Sequence, residues 1–427
     1  MKGAIVKGKA QSADQPYAIV IGLDSVTGLQ TARILVRHGV PVIAIARDPA
    51  HDFCRTNVCE KILFADTTNG DFISALLALG PELRQKAVLF PCSDASVLLI
   101  SRRRNELGKW YHVVLPEPEI VEMLMDKISF YDYAREAGLP IPRTFIVANK
   151  LEVEQAAEEL SFPCILKPPL RTAAWEKQAG AKVVKIWSAE DLFSVYERCA
   201  PVSGALMLQE WIEGTDAELY SCNCYFNADS KPLVTFVSKK LRQWPPETGV
   251  SCLGEECRND IVLQESIRLF QSVNYRGLGY VEMKRDVNTG KHFIIEPNIG
   301  RPTGRSAIAE AGGVAMLYAA YCDTVQRTLP VNLEQKYQGA KWIYLRRDIQ
   351  SALHYWRRGD LTLRQWWRSW RGRKTDAVFS WTDPGPFWSD LRRCIGLLLR
   401  RTKSHRPAVF DHDGVQRASL DLVPPTS

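Results

Sequence analysis

The 427-residue chain lacks the apolar stretches of membrane and secreted proteins. No run approaches the roughly 20 apolar residues that a membrane-spanning helix needs, and the short apolar run at residues 395–399 has arginines on both sides. Residues 1–15 are polar and contain no apolar core of the kind found in secretory signals. We therefore expect a cytoplasmic protein without a transmembrane helix.

Two cofactor signatures are also missing. The eleven cysteines contain no C-x-x-C pair, which argues against a zinc site or a disulfide framework and favours reduced, buried thiols. The first strand is followed by GLDSVTG at residues 22–28, which has two glycines and not the G-x-G-x-x-G spacing. This turn argues against a nicotinamide dinucleotide site.

Positive charge is concentrated in one part of the chain. The formal net charge is +7, but residues 341–403 alone contain 15 Lys and Arg against 5 Asp, together with 7 of the 12 tryptophans. The remainder is close to neutral. The net charge is therefore a poor argument for a nucleic-acid-binding protein, since no recognised module accompanies the basic segment.

The hydrophobic pattern predicts two kinds of sheet. Short buried strands alternate with helical segments as far as residue 118, which favours a parallel, doubly wound α/β sheet. After residue 203 strands predominate, which indicates an α+β fold. The predicted strands are residues 18–22, 40–45, 61–65, 87–91, 113–115, 144–147, 164–167, 183–186, 206–211, 217–226, 232–238, 279–285 and 292–297; the predicted helices are residues 29–38, 120–137, 151–160 and 189–199.

The segment GYVEMKRDVNTGKHFIIEPN (residues 279–298) carries the strongest local signal. Its Asn-Thr-Gly-Lys turn predicts a hairpin in which Glu282 faces Glu296, with Asn298 on the same strand face as Glu296. Oxygen ligands of this kind select Mg²⁺ or Mn²⁺. The alternative is a solvated hairpin in which Lys284 neutralises the carboxylates.

Two further patterns point to a nucleotide. Lys167 ends a strand before a Pro-Pro break and could, with Lys127, approach a phosphate, although single lysines are usually solvated surface charges. The segment LMLQEWIEGTDAELY contains an extended stretch that could read the edge of an adenine, and Glu218 beyond it could hold a ribose. Alternatively, Trp211 and Ile212 are simply core residues.

The order of these motifs resembles the ATP-grasp superfamily, and within it the carboxylate-amine ligases, with the D-aspartate ligases as the most similar family. The resemblance covers about residues 17–330. It implies a Rossmann-like preATP-grasp domain at residues 1–118 and an ATP-grasp domain at residues 119–335, whose lid subdomain spans about 140–203. Residues 336–427 then form a helical, basic, Trp-rich extension with a disordered tail.

The resemblance also implies roles for individual residues. KKLRQWPPETGVS (residues 239–251) is similar to a family stretch over the acceptor site, and Arg305 and Arg242 are candidates for gripping a substrate carboxylate by bidentate contact, or else surface arginines. The other implicated residues are Lys127, Lys167, Lys182, Gln209, Glu210, Trp211, Ile212 and Glu218 for ATP; Glu282, Glu296 and Asn298 for Mg²⁺ or Mn²⁺; and Arg301 for the transferring phosphate.

The implied activity is ATP-dependent ligation of a small carboxylate to a small amine through an acyl phosphate. One feature departs from the family, in which many members carry a glycine-rich lid loop. Here the corresponding segment, PPLRTAAWEKQAGAKVVKI, has Gly180 as its only glycine. An ATP-binding regulatory protein without ligase activity would show the same departure and is the alternative. The sequence specifies neither the substrates nor the oligomeric state.

The basic extension contains an amphipathic pattern. Leu363, Trp366, Trp367 and Trp370 recur with helical spacing, and arginines occupy the other positions of that helix. Such a helix suits peripheral contact with the inner face of a membrane, or an acidic partner. The alternative is that the tryptophans pack on the protein's own body.

Overall fold

The computed structural model describes residues 2–6, 15–170 and 172–404, so the predicted disordered tail lies outside the described residues. The N-terminal part is a six-stranded sheet in the order β1-β4-β3-β2-β5-β6, in which β2 to β6 are parallel and β1 is antiparallel to β4. The predicted parallel sheet is confirmed, although the strand expected at 113–115 lies two residues earlier. Its elements are β1 (Lys2–Val6), β2 (Ala18–Ile21), α1 (Val26–Arg37), β3 (Val42–Ala46), β4 (Lys61–Phe64), α2 (Asp71–Leu79), β5 (Ala87–Pro91), α3 (Asp94–Arg102), α4 (Arg104–Leu107) and β6 (Tyr111–His112).

The turn before α1 explains the two glycines of GLDSVTG. Gly22 has φ +100°, a conformation that side chains rarely adopt, and a Cβ on Gly28 would lie 2.1 Å from the Gly22 carbonyl oxygen. Ser25 caps α1 by accepting a hydrogen bond from the Gly28 N–H at 3.0 Å. The glycines therefore allow the helix to start close to the strand.

The middle of the chain forms a small antiparallel sheet in the order β7-β10-β8-β9, with its own hydrophobic core around the fully buried Trp175. The single helix predicted at 120–137 is interrupted at Asp126, which leaves the helical conformation and caps the following helix through the Ser129 N–H at 2.9 Å. The elements are α5 (Pro118–Met125), α6 (Lys127–Glu136), β7 (Thr144–Val147), α7 (Lys150–Glu159), β8 (Cys164–Lys167), α8 (Ala173–Ala179), β9 (Val184–Ile186), α9 (Ala189–Cys199) and β10 (Leu206–Glu210).

A seven-stranded sheet in the order β15-β14-β11-β12-β13-β16-β17 completes the α+β part, and all of its pairs are antiparallel except β16–β17. The predicted strands are present, but β12 runs six residues beyond its predicted end at residue 238. The strand β13 was not predicted because its sequence is polar and follows a Pro-Pro turn. The elements are β11 (Leu219–Phe226), β12 (Pro232–Trp244), β13 (Val250–Glu256), α10 (Asp260–Ser272), β14 (Gly277–Arg285), β15 (His292–Ile299), α11 (Ala307–Ala311), α12 (Met316–Thr324) and β16 (Lys341–Ile343).

The basic segment is built into this sheet and into the N-terminal core. Trp342 on β16 is fully buried, and its indole N–H donates to the side-chain oxygen of Gln30 on α1 at 3.1 Å. The predicted helical extension is confirmed, and the division into three domains stays a prediction. Within the described ranges, no helix has the length and apolar character needed to cross a bilayer. The remaining elements are α13 (Leu345–Arg357), α14 (Leu363–Ser369), β17 (Lys374–Asp376) and α15 (Gly385–Ser404).

A buried ion pair joins the basic segment to α1. The Arg33 Nε lies 2.8 Å from the Asp383 carboxylate, and both side chains are almost fully buried. The same carboxylate accepts hydrogen bonds from the Thr56 hydroxyl and the Asn57 N–H. The Arg33 guanidinium thus has its partners in the basic segment, and the Asp383 carboxylate has its partners in the N-terminal part of the chain. We therefore expect the contact to be important for stability.

We expect Asp383→Ala to lower the free energy of unfolding by about 3–5 kcal/mol, because the Arg33 charge would stay buried without its partner. Urea denaturation of the full chain measures the change. Asp360→Ala is the matched control, since Asp360 pairs with Arg358 at the surface, and it should cost less than about 1 kcal/mol. An Asp383→Ala variant as stable as the control would contradict the proposed importance of this ion pair.

Candidate functional site

Two carboxylates face each other across the β14–β15 pair. Glu282 is the register partner of Glu296, as the hairpin pattern predicted, and Tyr280 is the partner of Asn298. The Asn298 side-chain N–H donates to Glu296 at 3.4 Å. The structure thus brings the three predicted metal-binding side chains together on neighbouring strands.

The charge of Glu282 is balanced by two residues from other parts of the chain. Its carboxylate oxygens lie 3.2 Å from the Lys240 Nζ on β12 and 3.6 Å from an Arg305 guanidinium nitrogen. Burial opposes ionisation of Glu282, but these two cations outweigh it and keep the pKa of the carboxyl below its usual value. Glu296, by contrast, forms no ion pair with any residue that the structure describes.

The sequence-based alternative, that Lys284 neutralises the hairpin, is wrong. The Lys284 Nζ lies 4.3 Å from the centre of the Trp211 ring. Lys240 was missed because it reaches Glu282 across β11, on which the small Ser221 pairs with Glu282 on one side and with Ser238, two residues before Lys240, on the other. Only the strand order β14-β11-β12 reveals that relation.

Arg301 and Arg305 both lie beside the carboxylates. Arg301 donates to the Asn298 side-chain oxygen at 2.6 Å and to the Tyr280 hydroxyl at 3.0 Å, and it pairs with Asp94 at the start of α3. Arg305 donates to the Ser221 hydroxyl at 3.1 Å. Its other terminal nitrogen is buried and has no hydrogen-bond partner in the described part of the chain, which leaves a donor for a ligand.

Arg242 lies in a different environment. Its guanidinium makes a bidentate pair with the fully buried Asp348 of α13, at 2.7 and 3.0 Å, and also donates to the Ser369 hydroxyl. The indoles of Trp366 and Trp370 donate to the same carboxylate, at 2.9 and 2.8 Å. The structure therefore does not group Arg242 with the carboxylate site, and its contact with a substrate stays a prediction.

The predicted phosphate-binding lysines converge on Lys167 at the end of β8. Burial, together with the nearby charges of Lys127 and Lys182, lowers the pKa of Lys167 to about 7, and the charge of Glu296 opposes this shift. The Lys167 Nζ donates to the Gln209 side-chain oxygen at 2.9 Å. A group of repelling ammonium ions beside a carboxylate is a place where an added anion would be stabilised.

The predicted adenine-binding residues lie at the end of β10, where Gln209 and Ile212 are buried and Glu210 and Trp211 are partly exposed. The Lys185 Nζ lies 4.1 Å from the centre of the Trp211 ring. Lys284 of β14 contacts the same ring. The Trp211 ring nitrogen is buried and has no hydrogen-bond partner among the described residues. The sequence pattern did not identify Lys185 as a neighbour of Trp211, because that contact depends on tertiary packing.

Glu218, the predicted ribose ligand, lies in a short 3₁₀ turn before β11 and pairs with Arg285 at 3.2 Å. It is partly exposed. The role of Glu218 as a ribose ligand stays a prediction.

The segment predicted to form the lid contains a short helix. In α8, Trp175 is fully buried and its indole donates to the Ala181 carbonyl at 3.0 Å, and Gly180 ends the helix with φ +69°. Lys182, between α8 and β9, is exposed. The segment is therefore held by a buried aromatic side chain, while its lysine remains accessible.

The donor chemistry fits a hard divalent cation. In the parts of the chain that the structure describes, no group of three or more His, Cys, Asp or Glu side chains is placed to hold a metal ion. The site offers instead two carboxylates and an amide, Glu282, Glu296 and Asn298, and an oxygen-only set of this kind suits Mg²⁺ or Mn²⁺.

Comparisons with known proteins agree with this architecture, although no family model matches the chain. The sequence is 25% identical to D-aspartate ligase of Enterococcus faecium over 251 residues, which cover 55% of this chain and 59% of the relative. It is 26% identical to D-alanine–D-alanine ligase of Xylella fastidiosa over 186 residues, covering 41% of this chain and 57% of the relative. The chain thus spans less than two thirds of the length of these curated relatives.

The solved structures are similar in fold. The ADP complex of N5-carboxyaminoimidazole synthetase from Staphylococcus aureus matches with a TM-score of 0.59 and 15% identity, over 75% of this chain and 80% of that one. Together these findings confirm the resemblance to the ATP-grasp carboxylate-amine ligases and the ATP-grasp fold.

The lowered pKa of Lys167 predicts a pH-dependent stability. Between about pH 7 and pH 10.5 the unfolded chain holds the Lys167 proton and the folded chain does not, so the contribution of this lysine to stability should rise with pH. The difference in free energy of unfolding between wild type and Lys167→Met should then increase by about 1 kcal/mol per pH unit. Urea denaturation at about pH 7, 8 and 9 measures it.

Gln209 loses its hydrogen bond in this variant at every pH, so that loss offsets the variant's profile by a constant and does not mimic the expected slope. Lys231→Met, at an exposed surface position, is the control and should give a profile parallel to wild type. A parallel profile for Lys167→Met would show that Lys167 is protonated in the folded chain.

Proposed function

We propose that the chain is an ATP-dependent ligase that joins a small carboxylate to an amine through an acyl phosphate and releases ADP and phosphate. The observation that carries the proposal is the opposition of two charge groups in one site. Facing carboxylates on β14 and β15, one of them without an ion pair to a described residue, lie within electrostatic range of the lysines around Lys167. Such a pair of groups is complementary to a divalent cation and a phosphate chain.

Phosphoryl transfer explains why the site needs cations and not a nucleophilic side chain. A carboxylate is a poor electrophile, and transfer of the γ-phosphoryl group of ATP gives it a leaving group. Catalysis of that step is mostly positioning and stabilisation of charge. Lys127, Lys167 and Lys182 would bind the phosphates, and Arg301 would hold the transferring group.

Glu282, Glu296 and Asn298 would hold Mg²⁺, which when bound supplies positive charge to the phosphate oxygens. Lys240 and Arg305 keep Glu282 ionised and therefore able to act as an oxygen ligand. The unpaired nitrogen of Arg305 is also the best placed donor in this group for a substrate carboxylate.

The adenine would lie against the end of β10, where Gln209, Glu210, Trp211 and Ile212 are found, and Glu218 would hold the ribose. The Lys185 and Lys284 ammonium groups over the Trp211 ring fix the orientation of that indole. The small sheet, with α8 held by Trp175, would act as the lid that excludes water, since an acyl phosphate exposed to water hydrolyses before the amine attacks.

The names of the relatives make amino acids the first substrates to test, either as the carboxylate or as the amine. Sugar acids and cell-envelope intermediates belong in the same panel. A coupled assay of ADP release, with each acid tested against each amine, would identify the pair. ADP release that depends on both substrates distinguishes ligation from simple ATP hydrolysis.

We expect Glu296→Ala to lower Mg²⁺-dependent ADP release by roughly 10²-fold or more, because it removes one of two charged metal ligands. Glu296 is the informative position because it has no ion pair with a described residue, so its removal breaks no salt bridge there, whereas removing Glu282 would break its pair with Lys240. Glu122→Ala, which breaks a surface pair with Arg102, should retain full activity. A Glu296→Ala variant with unchanged turnover would overturn the metal assignment.

The regulatory alternative differs in its readout. A regulatory protein would bind ATP tightly, as measured by calorimetry, but release no ADP with any acid and amine of the panel.

A further inference from the structure

The helix α13 exposes a stripe of large apolar side chains. Ile349, Leu353 and Trp356 recur at positions i, i+4 and i+7 and are 46%, 42% and 52% exposed. A neighbouring face of the helix is buried through Asp348 and Ser351. This stripe is not part of the site described above, and it remains about half exposed in the described part of the chain.

The side chains of the stripe predicted on α14 lie in two different environments. Trp366 and Trp370 turn toward the body of the protein, where both indoles donate to Asp348. Leu363 and Trp367 remain 62% and 67% exposed. The interpretation that the tryptophans pack on the body is therefore correct for two of them, while one tryptophan and one leucine face outward.

Arginines border both stripes. On a helical wheel Arg357 lies beside the α13 stripe, and Arg364 and Arg368 lie beside Leu363 and Trp367. Arg371 follows the end of α14. All four are exposed, and none forms an ion pair with a described residue. Between residues 349 and 375 the chain has a single carboxylate, Asp360, which already pairs with Arg358 at 3.0 Å.

We propose that this surface binds peripherally to an anionic lipid bilayer. We call it the α13–α14 face, and it consists of Ile349, Leu353, Trp356, Leu363 and Trp367 with the bordering Arg357, Arg364, Arg368 and Arg371. A bilayer interface offers both things that the face requires: an apolar phase for the exposed aliphatic and indole groups and a dense layer of negative charge for the arginines.

The combination favours lipid over an acidic protein. Arginines alone would suit any polyanion, but exposed apolar side chains of this size are stabilised only where they leave water. Tryptophan also prefers the boundary between apolar and polar phases, since its ring is apolar and its N–H can still donate. An acidic protein is therefore the competing outcome of the test and not a second proposal.

The face is rigidly connected to the body. Asp348 of α13 is held by Arg242 on β12 and by two indoles of α14, so both helices are tied to the seven-stranded sheet at one buried carboxylate. Contact with a bilayer would then bring the whole protein to the surface. The inference does not depend on the ligase proposal, because vesicle binding needs no nucleotide or turnover.

The test is flotation of the full chain with vesicles of phosphatidylcholine, with and without phosphatidylglycerol. We expect binding to the anionic vesicles only, and quenching of tryptophan fluorescence by brominated lipid. The double variant Trp356→Ala/Trp367→Ala should bind at least about tenfold more weakly, because the exposed indoles provide the apolar contact. Its matched control is Trp187→Ala, an equally exposed tryptophan of the small sheet region, which should bind like wild type.

Charge is tested separately. Arg364→Glu/Arg368→Glu should also lower binding at least about tenfold, whereas reversal of the exposed Arg198 and Lys231 should have little effect. If the arginine variant loses binding while the tryptophan variant binds like wild type, the face is a site for a soluble polyanion and the bilayer proposal fails. Equal binding to neutral and anionic vesicles, or none to either, would also overturn it. Brominated-lipid quenching of the wild type gives the same decision without a variant.

Discussion

The β14–β15 register is the constraint on which the candidate site depends. It sets Glu282 opposite Glu296, and like charges in that relation repel. The fold compensates only one of them: Lys240 and Arg305 balance Glu282, while Glu296 has no ion partner in the described chain. A site that is neutralised on one side and not on the other is stable as it stands and still gains free energy from an added cation, which is the behaviour required of a metal site that loads with its nucleotide.

The second half of the site shows the same logic with the opposite sign. Lys167 is buried among like charges, and its lowered pKa of about 7 records the cost of keeping that ammonium ion charged. A phosphate chain would remove the cost by supplying negative charge. The Glu296 carboxylate and the Lys167 ammonium group come from different sheets, so binding of a metal–nucleotide complex would also favour approach of the small sheet to the large one. Catalysis and closure would then have a common electrostatic origin.

Local patterns in the sequence predicted the features that depend on near neighbours. The strands β5, β7 and β8 and the helix α9 have the predicted bounds, and the hairpin register followed from a turn and the period of two. Sequence could not predict contacts that cross a sheet. Lys240 reaches Glu282 over the intervening β11, and Arg242, two residues further along, is bound by Asp348 more than a hundred residues away. Both lie in one stretch that looks uniformly basic, and only the strand order and the packing of α13 assign them different partners.

The buried carboxylate of Asp348 explains why the basic extension is not merely an appendage. A carboxylate without water is strongly destabilised unless its oxygens are fully bonded, and here a bidentate arginine and two indoles provide those bonds. Those same bonds hold Trp366 and Trp370 inward, while Leu363 and Trp367 of the same helix stay exposed. The exposed face and the buried charge thus belong to the same two helices. The arginines of that face, which the buried site does not need, are free to meet charge from outside the chain.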